Sequence, residues 1–276
     1  MARTKEGIPF HPSEYDPDSL RVRCITCGKM NSCNCENHQF TPWYPRLPIL
    51  MNGGMIESVV HDNGQEIHIS EITTHSLQRI VDCDIKLYPT RMMVIENFIE
   101  PSLFSELIKS WPSRDILKQG DPIGRFQTSD VDFSKSYRTL YNEVINNEYI
   151  KYAVLDKLGL EFELNKETKI QLWEDTESFK VNDVHVDFDL FDITFGLYMP
   201  EDDSLKEYGT EFWSPNQYVE NLEDSFTKNE CDFIFKIPFI PNIIYFIPRG
   251  NKSWHSSPDI LTKLNRKHLY GYYGKK

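Results

Sequence analysis

Residues 168–199, TKIQLWEDTESFKVNDVHVDFDLFDITFGLYM, decide the architecture. Two runs rich in β-branched and aromatic residues, Thr168 to Trp173 and Ile193 to Met199, bracket an acidic segment in which His185 and Asp187 stand two apart. Runs of this composition and length, bounded by acidic or glycine turns, predict strands. On extended backbone, residues two apart face the same side. His185 and Asp187 are therefore expected to aim an imidazole and a carboxylate into one space.

Working outward, Asp232 to Ile237, Asn242 to Ile247 and Lys267 to Tyr273 repeat the strand pattern downstream. Upstream, Met92 to Ile95 reads as a short apolar strand. Leu103, Phe104, Leu107, Ile108 and Trp111 then recur at helical spacing between Pro101, suited to a first helical turn, and Pro112, which stops the run. A second helix is predicted from Glu148 to Leu158, with Ile150, Val154 and Leu158 on one face and Gly159 as its cap. Helices followed by a strand array predict a mainly β fold with flanking helices, whose core is a double-stranded β-helix of the jelly-roll, cupin-like kind. The main domain is expected at 91–276. Residues 1–48 read as a Cys- and Pro-rich, loop-rich extension, and 49–90 as a short β-rich linker or subdomain.

The chain has 276 residues, 39% of them apolar and 13% aromatic, enough to bury a core. Its formal net charge of −12 disfavours nucleic acid and anionic membranes as partners, a nucleic-acid repair enzyme included. The first residues carry no apolar stretch of signal-peptide type, and no segment has the apolar length of a membrane span. Four of the six cysteines crowd between Cys24 and Cys35 rather than spreading as a disulfide framework. A soluble, cytoplasmic setting is expected.

A third candidate ligand lies far downstream, in Ser253-Trp254-His255, after the strand Asn242 to Ile247 and the turn Pro248-Arg249-Gly250-Asn251. Two histidines and a carboxylate on one face of a metal leave the opposite face open, which suits iron(II) and oxygen; structural zinc prefers a closed tetrahedron, often with thiolates. A His-x-Asp pair alone arises readily by chance. The order strand, His-x-Asp, strand, Gly-Thr, strand, turn, Trp-His, Arg is the specific feature. Asp189 competes with Asp187 as the carboxylate, and spacing favours Asp187.

From about Met92 to Tyr273 the chain resembles the 2-oxoglutarate and iron(II)-dependent oxygenases, particularly the prolyl-4-hydroxylase-like branch. The matching pieces are His185-Val186-Asp187, Phe195 to Pro200, Gly209-Thr210-Glu211-Phe212-Trp213, Ser253-Trp254-His255 and Arg266-Lys267-His268-Leu269, with the opening Val94 to Ile99 and its helix. The resemblance implies that His185, Asp187 and His255 bind iron. It also implies that Arg266 pairs with the distal carboxylate of 2-oxoglutarate, a task its planar fork suits. Tyr198 would support the same carboxylate, and Lys267 competes with Arg266 because adjacent strand residues face opposite sides. The implied reaction oxidatively decarboxylates 2-oxoglutarate to succinate and CO₂ with O₂ and hydroxylates an unidentified peptide, sugar or small molecule, with ascorbate as a candidate reductant. Asp187 occupies the place that a chlorinating relative leaves open for halide. His268 departs from the small hydroxylated residue common two positions after the arginine. The competing reading is a non-catalytic jelly-roll module that binds a peptide or sugar.

Trp254, Trp213 and Trp173 are candidate pocket walls or plain core aromatics, and 201–208 and 216–230 are candidate rim loops. In the N-terminal extension, Cys24, Cys27, Cys33 and Cys35, with His38 nearby, offer a thiolate set for structural zinc; free thiols or a pair of disulfides are the alternatives.

Overall fold

In a computed structural model, the chain is described over the backbone of 22–24, 40–44, 47–52 and 55–60, and over 66–274 apart from 121, 161–163, 166–167, 181–182 and 188–190. The first five strands form an antiparallel meander in chain order: β1 (Val22–Cys24), β2 (Phe40–Tyr44), β3 (Leu47–Asn52), β4 (Met55–Val60) and β5 (Glu66–Ile67). Two of them, β1 and β2, lie inside the stretch expected to be loop-rich. Cross-strand pairing orders them there, a non-local cause that local periodicity does not report. Cys27, Cys33, Cys35 and His38 lie outside the described residues, as do the side chain of Cys24 and the whole of Asp189.

Helix α1 (Glu71–Asp82) follows, inside the stretch read as a short β-rich linker or subdomain. Ser70 caps it by accepting from the Thr73 amide, and Thr73, Leu77 and Ile80 are buried at helical spacing. Ile80 and Leu77 pack with Ile56 and Val59 of β4. The other helices are α2 (Pro101–Lys109), α3 (Lys135–Leu140), which continues into a π-helical turn at Tyr141–Ile145, and α4 (Glu148–Leu158). α4 has the predicted bounds, and Gly159 ends it at φ 65, a left-handed conformation that favours glycine.

The main sheet has eight strands, in the order β6 (Ile85–Lys86), β7 (Met92–Ile95), β16 (Ile244–Pro248), β12 (Ile193–Tyr198), β18 (Arg266–Tyr273), β10 (Lys169–Asp175), β9 (Arg125–Thr128) and β8 (Lys118–Gln119). Facing it are a two-stranded sheet of β11 (Asp183–Val184) with β14 (Phe226–Thr227), and a three-stranded sheet ordered β15 (Cys231–Lys236), β13 (Glu211–Pro215), β17 (His255–Ser256). The mainly β, jelly-roll expectation holds.

Strand alternation sorts the main sheet into two faces. On one, Met93, Ile95, Ile170, Leu172, Phe195, Leu197, Phe246 and Leu269 pack with the helices in the largest core. On the other, Tyr198, Tyr245 and Ile247 join Phe212, Ile237 and Phe239 in a second core between the sheets. Gly196 sits on this inner face, and a Cβ there would collide with the ring and hydroxyl of Tyr245. The candidate site lies on the inner face.

Candidate active site

His185 and His255 are directly opposed on an antiparallel bridge: each amide donates to the other's carbonyl, at 3.0 and 2.9 Å. Opposed residues of such a pair share a face with their Cβ atoms close together. This pairing brings a residue just past β11 beside the first residue of β17, with ring centroids 4.9 Å apart. Asp187, two residues after His185, completes the group, and one donor atom from each of the three lies within 4.8 Å of the others.

Each ligand candidate is held by further contacts. His255 Nδ1 lies 2.8 Å from the Ser253 carbonyl, an acceptor that places the ring proton there, and its Nε2 lies 3.6 Å from Asp187 Oδ2. Asp187 Oδ1 accepts from the Tyr270 hydroxyl at 3.2 Å, and the Asp187 carbonyl accepts from Arg249 Nε at 2.7 Å. The carboxylate of Asp183 stands 3.7 Å from His185 Nδ1. Burial foremost, then the neighbouring His255, pushes the His185 imidazole below its usual range, against the pull of Asp187 and Asp183. A neutral imidazole is the form that binds metal.

Next to this cluster on β18, Arg266 faces inward and Lys267 outward, where its Nζ lies 3.6 Å from Glu201. Arg266 is 1% exposed, and its Nη1 lies 3.3 Å from Asp175 Oδ2. Arg125 grips the same carboxylate with two bonds, Nε to Oδ1 at 2.7 Å and Nη2 to Oδ2 at 3.1 Å. The cause is register: Asp175 of β10 is the Cα partner of both Arg125 on β9 and Arg266 on β18.

Tyr198 also faces inward and is fully buried, but its hydroxyl is engaged with Thr210, donating to Oγ1 and accepting from the amide, both at 2.8 Å. Burial raises its pKa, with Arg266 and the Thr210 bonds opposing. Tyr245, also pushed up by burial, bonds the same threonine. Trp173 stacks flat on Tyr270 at 4.2 Å, and Arg125 Cζ lies 3.6 Å from its ring centroid, on the inner face. Trp254 packs with Val184, Val186 and Phe226 under the ligand segment, and Trp213 donates to Ser256.

Sequence reasoning missed Arg125, Asp175, Tyr270, Tyr245 and the role of Thr210 with Tyr198. Alternation from Arg266 along β18 would have placed Tyr270 on the same face. Nothing local to Arg125 or Asp175 marks them, because their meaning comes from strand pairing.

Fold and site together define a jelly-roll protein with a two-histidine, one-carboxylate cluster beside a buried arginine. No family model matches the sequence, and no curated protein matches it either. Among solved structures, the chain is similar to a prolyl 4-hydroxylase from Phytophthora capsici, with TM-score 0.52 and 14% identity over 76% of this chain and 67% of that one. It also matches a prolyl-4-hydroxylase of Pseudomonas putida, with TM-score 0.47 and 12% identity over 73% of this chain and 99% of that one. A third match is the epimerase SnoN, solved with Fe3+, alpha ketoglutarate and nogalamycin RO, with TM-score 0.44 and 13% identity over 67% of this chain and 78% of that one. The first of these likenesses carries the jelly-roll fold. Among the described residues, no helix is long and apolar enough to cross a membrane.

Proposed function

We propose that the chain is a non-haem iron(II) oxygenase that uses 2-oxoglutarate as co-substrate and hydroxylates a peptide, sugar or small-molecule substrate. The observation that carries this reading is the convergence of His185, Asp187 and His255, distant in sequence, to within 4.8 Å. The donor set fits ferrous iron: two imidazoles and one carboxylate leave ligand positions free, and no thiolate is among them. Bound there, iron(II) would supply the reduction of O₂ coupled to oxidative decarboxylation of the keto acid to succinate and CO₂.

The chain's own residues have separate tasks. Ser253 fixes the tautomer of His255 so that Nε2 is presented, and Tyr270 orients Asp187. Arg266 takes the distal carboxylate of 2-oxoglutarate. Tyr198 shapes the pocket through Thr210, since its single proton is already given to that side chain. Trp173, Tyr245 and Phe239 exclude water from the inner face, which strengthens every charge interaction there. Ascorbate would act from outside as reductant. Zinc at Cys24, Cys27, Cys33 and Cys35 remains a separate proposal, tested by metal analysis of the purified protein and a quadruple cysteine variant.

The test is anaerobic addition of Fe(II) and 2-oxoglutarate, followed by air. A weak visible charge-transfer band and then succinate release are expected, both absent in His185→Ala. Iron-loaded wild-type protein that shows neither band nor succinate overturns the reading and leaves a binding module. A mass-spectrometric screen of succinate release across prolyl peptides, sugars and small metabolites identifies the substrate class.

A further inference from the structure

His185 and Asp187 stand two apart in the chain, yet their backbones are held differently. His185 exchanges two amide bonds with His255 across the bridge. Among the described residues, no such ladder bond reaches Asp187. A side chain meets its main chain instead: Arg249 Nε donates to the Asp187 carbonyl at 2.7 Å. A hydrogen bond from a charged donor is stronger than a neutral one, which makes this contact an anchor.

The root of Arg249 belongs to the main sheet. Pro248 is the Cα partner of Ile193 at the end of the β16–β12 ladder, and the Arg249 amide then donates to the Asp192 carbonyl at 3.0 Å. Downstream, the turn closes on itself. The Gly250 amide donates to Ser253 Oγ at 3.0 Å, while the Ser253 hydroxyl and amide donate to the Gly250 carbonyl at 2.8 and 3.0 Å. The carbonyl of that same Ser253 faces Nδ1 of His255 at 2.8 Å. One closed turn therefore reaches Asp187 through the Arg249 side chain and His255 through Ser253. These are the two ligand candidates whose Oδ2 and Nε2 lie 3.6 Å apart.

We propose that Arg249 is a positioning residue for Asp187, fixing its main chain against the main sheet and so setting the gap between its carboxylate and the His255 imidazole. The proposal deepens the oxygenase reading and rests on its metal site. Tyr270 constrains Asp187 at the carboxylate and Arg249 constrains it at the carbonyl. The two anchors do different work: a bond to the carboxylate alone leaves the backbone dihedrals of Asp187 unfixed, and a bond to the carbonyl alone leaves its side-chain torsions unfixed.

The experiment measures binding of Ni(II), an air-stable ion that suits imidazole ligands, to wild type, Arg249→Met and Arg249→Lys, and to Asp187→Ala with and without Arg249→Met. Only binding that is lost in His185→Ala is counted, which removes the contribution of other histidines. Arg249→Met keeps an apolar stem and deletes the donor, so affinity should fall by about tenfold to a hundredfold, the usual effect of losing a partner behind a metal ligand. Arg249→Lys retains a charged donor and is expected to stay within about threefold of wild type. In the Asp187→Ala background the remaining histidine pair should bind equally, within about twofold, with and without Arg249→Met, because a residue that acts through Asp187 has no effect once Asp187 is gone. Where the methionine variant does not accumulate folded, Arg249→Leu replaces it. The proposal is overturned if the apolar variant binds like wild type, if the lysine variant is as weak as the apolar one, or if the loss is as large in the Asp187→Ala background. Wild-type protein that takes up metal here but gives no charge-transfer band with Fe(II) and 2-oxoglutarate overturns the oxygenase reading alone, and one that takes up no metal overturns both.

Discussion

Tyr270 links the cluster of His185, Asp187 and His255 to the main sheet through one hydroxyl. Its bond to Asp187 Oδ1 occupies one carboxylate oxygen and leaves Oδ2 facing His255, while its ring lies flat on Trp173. Burial, then the charge of Asp187, keeps the phenol far above its usual pKa, so it remains a donor at every physiological pH. Tyr270→Phe preserves the stack and deletes the bond, so Fe(II) affinity should fall by about tenfold, as loss of a partner behind a metal ligand commonly does. Anaerobic competition with a chelator measures it, and an unchanged affinity would remove Tyr270 from the positioning role. Arg266→Ala should do the reverse, sparing iron while 2-oxoglutarate binding is lost; equal loss of both would make Arg266 structural. His185, Asp187, His255 and Arg266 were legible in the chain because each sits in a motif of fixed local spacing. Tyr270 was not singled out, since its meaning depends on where Asp187 arrives.

At the scale of elements, β18 shows how much depends on register. Arg266, His268 and Tyr270 face the site, whereas Lys267 and Leu269 face the other side, so a slip of one residue would exchange them all. The turn before β16 ties neighbouring elements together. There Asn242, at φ 60, uses its side chain to accept from the Ile99 amide and to donate to the Ile99 carbonyl, both at 2.8 Å. Its amide also donates to the Tyr198 carbonyl, which ties β7 and α2 to the end of β12. Asn242→Ala removes two buried bonds and puts a less tolerant residue in a left-handed conformation, at a cost of about 2–4 kcal/mol. Urea unfolding reads this as a lower midpoint, and an unshifted midpoint would show that the turn does not hold the strands. The helix α4 was legible to the residue because period and cap agree, whereas α1 was not singled out, since its Ile, Thr and Val residues favour strands locally while packing on β4 decides the outcome.

For the whole molecule, helices cover one face of the main sheet and the smaller sheets cover the other, so the polar cluster is enclosed between two cores. The chain carries a formal charge of −12, yet the buried row of Arg125, Asp175 and Arg266 carries one net positive charge. An anion that fits there should stabilise the entire fold by linkage. With iron present and oxygen excluded, 2-oxoglutarate at about a hundredfold over its Kd adds roughly 2.7 kcal/mol, a rise of about 5–10 °C in Tm for a chain of this size. Thermal unfolding should show that rise in wild type and not in Arg266→Ala, while iron alone raises both. A rise of the same size in Arg266→Ala would place the acid elsewhere.

The amino-acid order by itself determined α2, α4 and the longer strands of the main domain, the His-x-Asp pair and its distant histidine, and the arginine at the last strand. These are local properties, set by side-chain period, turn residues and motif spacing. Only the tertiary structure decided that His255 lies opposite His185, that Arg266 rather than Lys267 turns inward, and that Asp175 joins two arginines. Those facts come from the pairing of strands remote in the chain, and pairing is chosen by burial of whole sheet faces, a quantity that no short window of sequence contains.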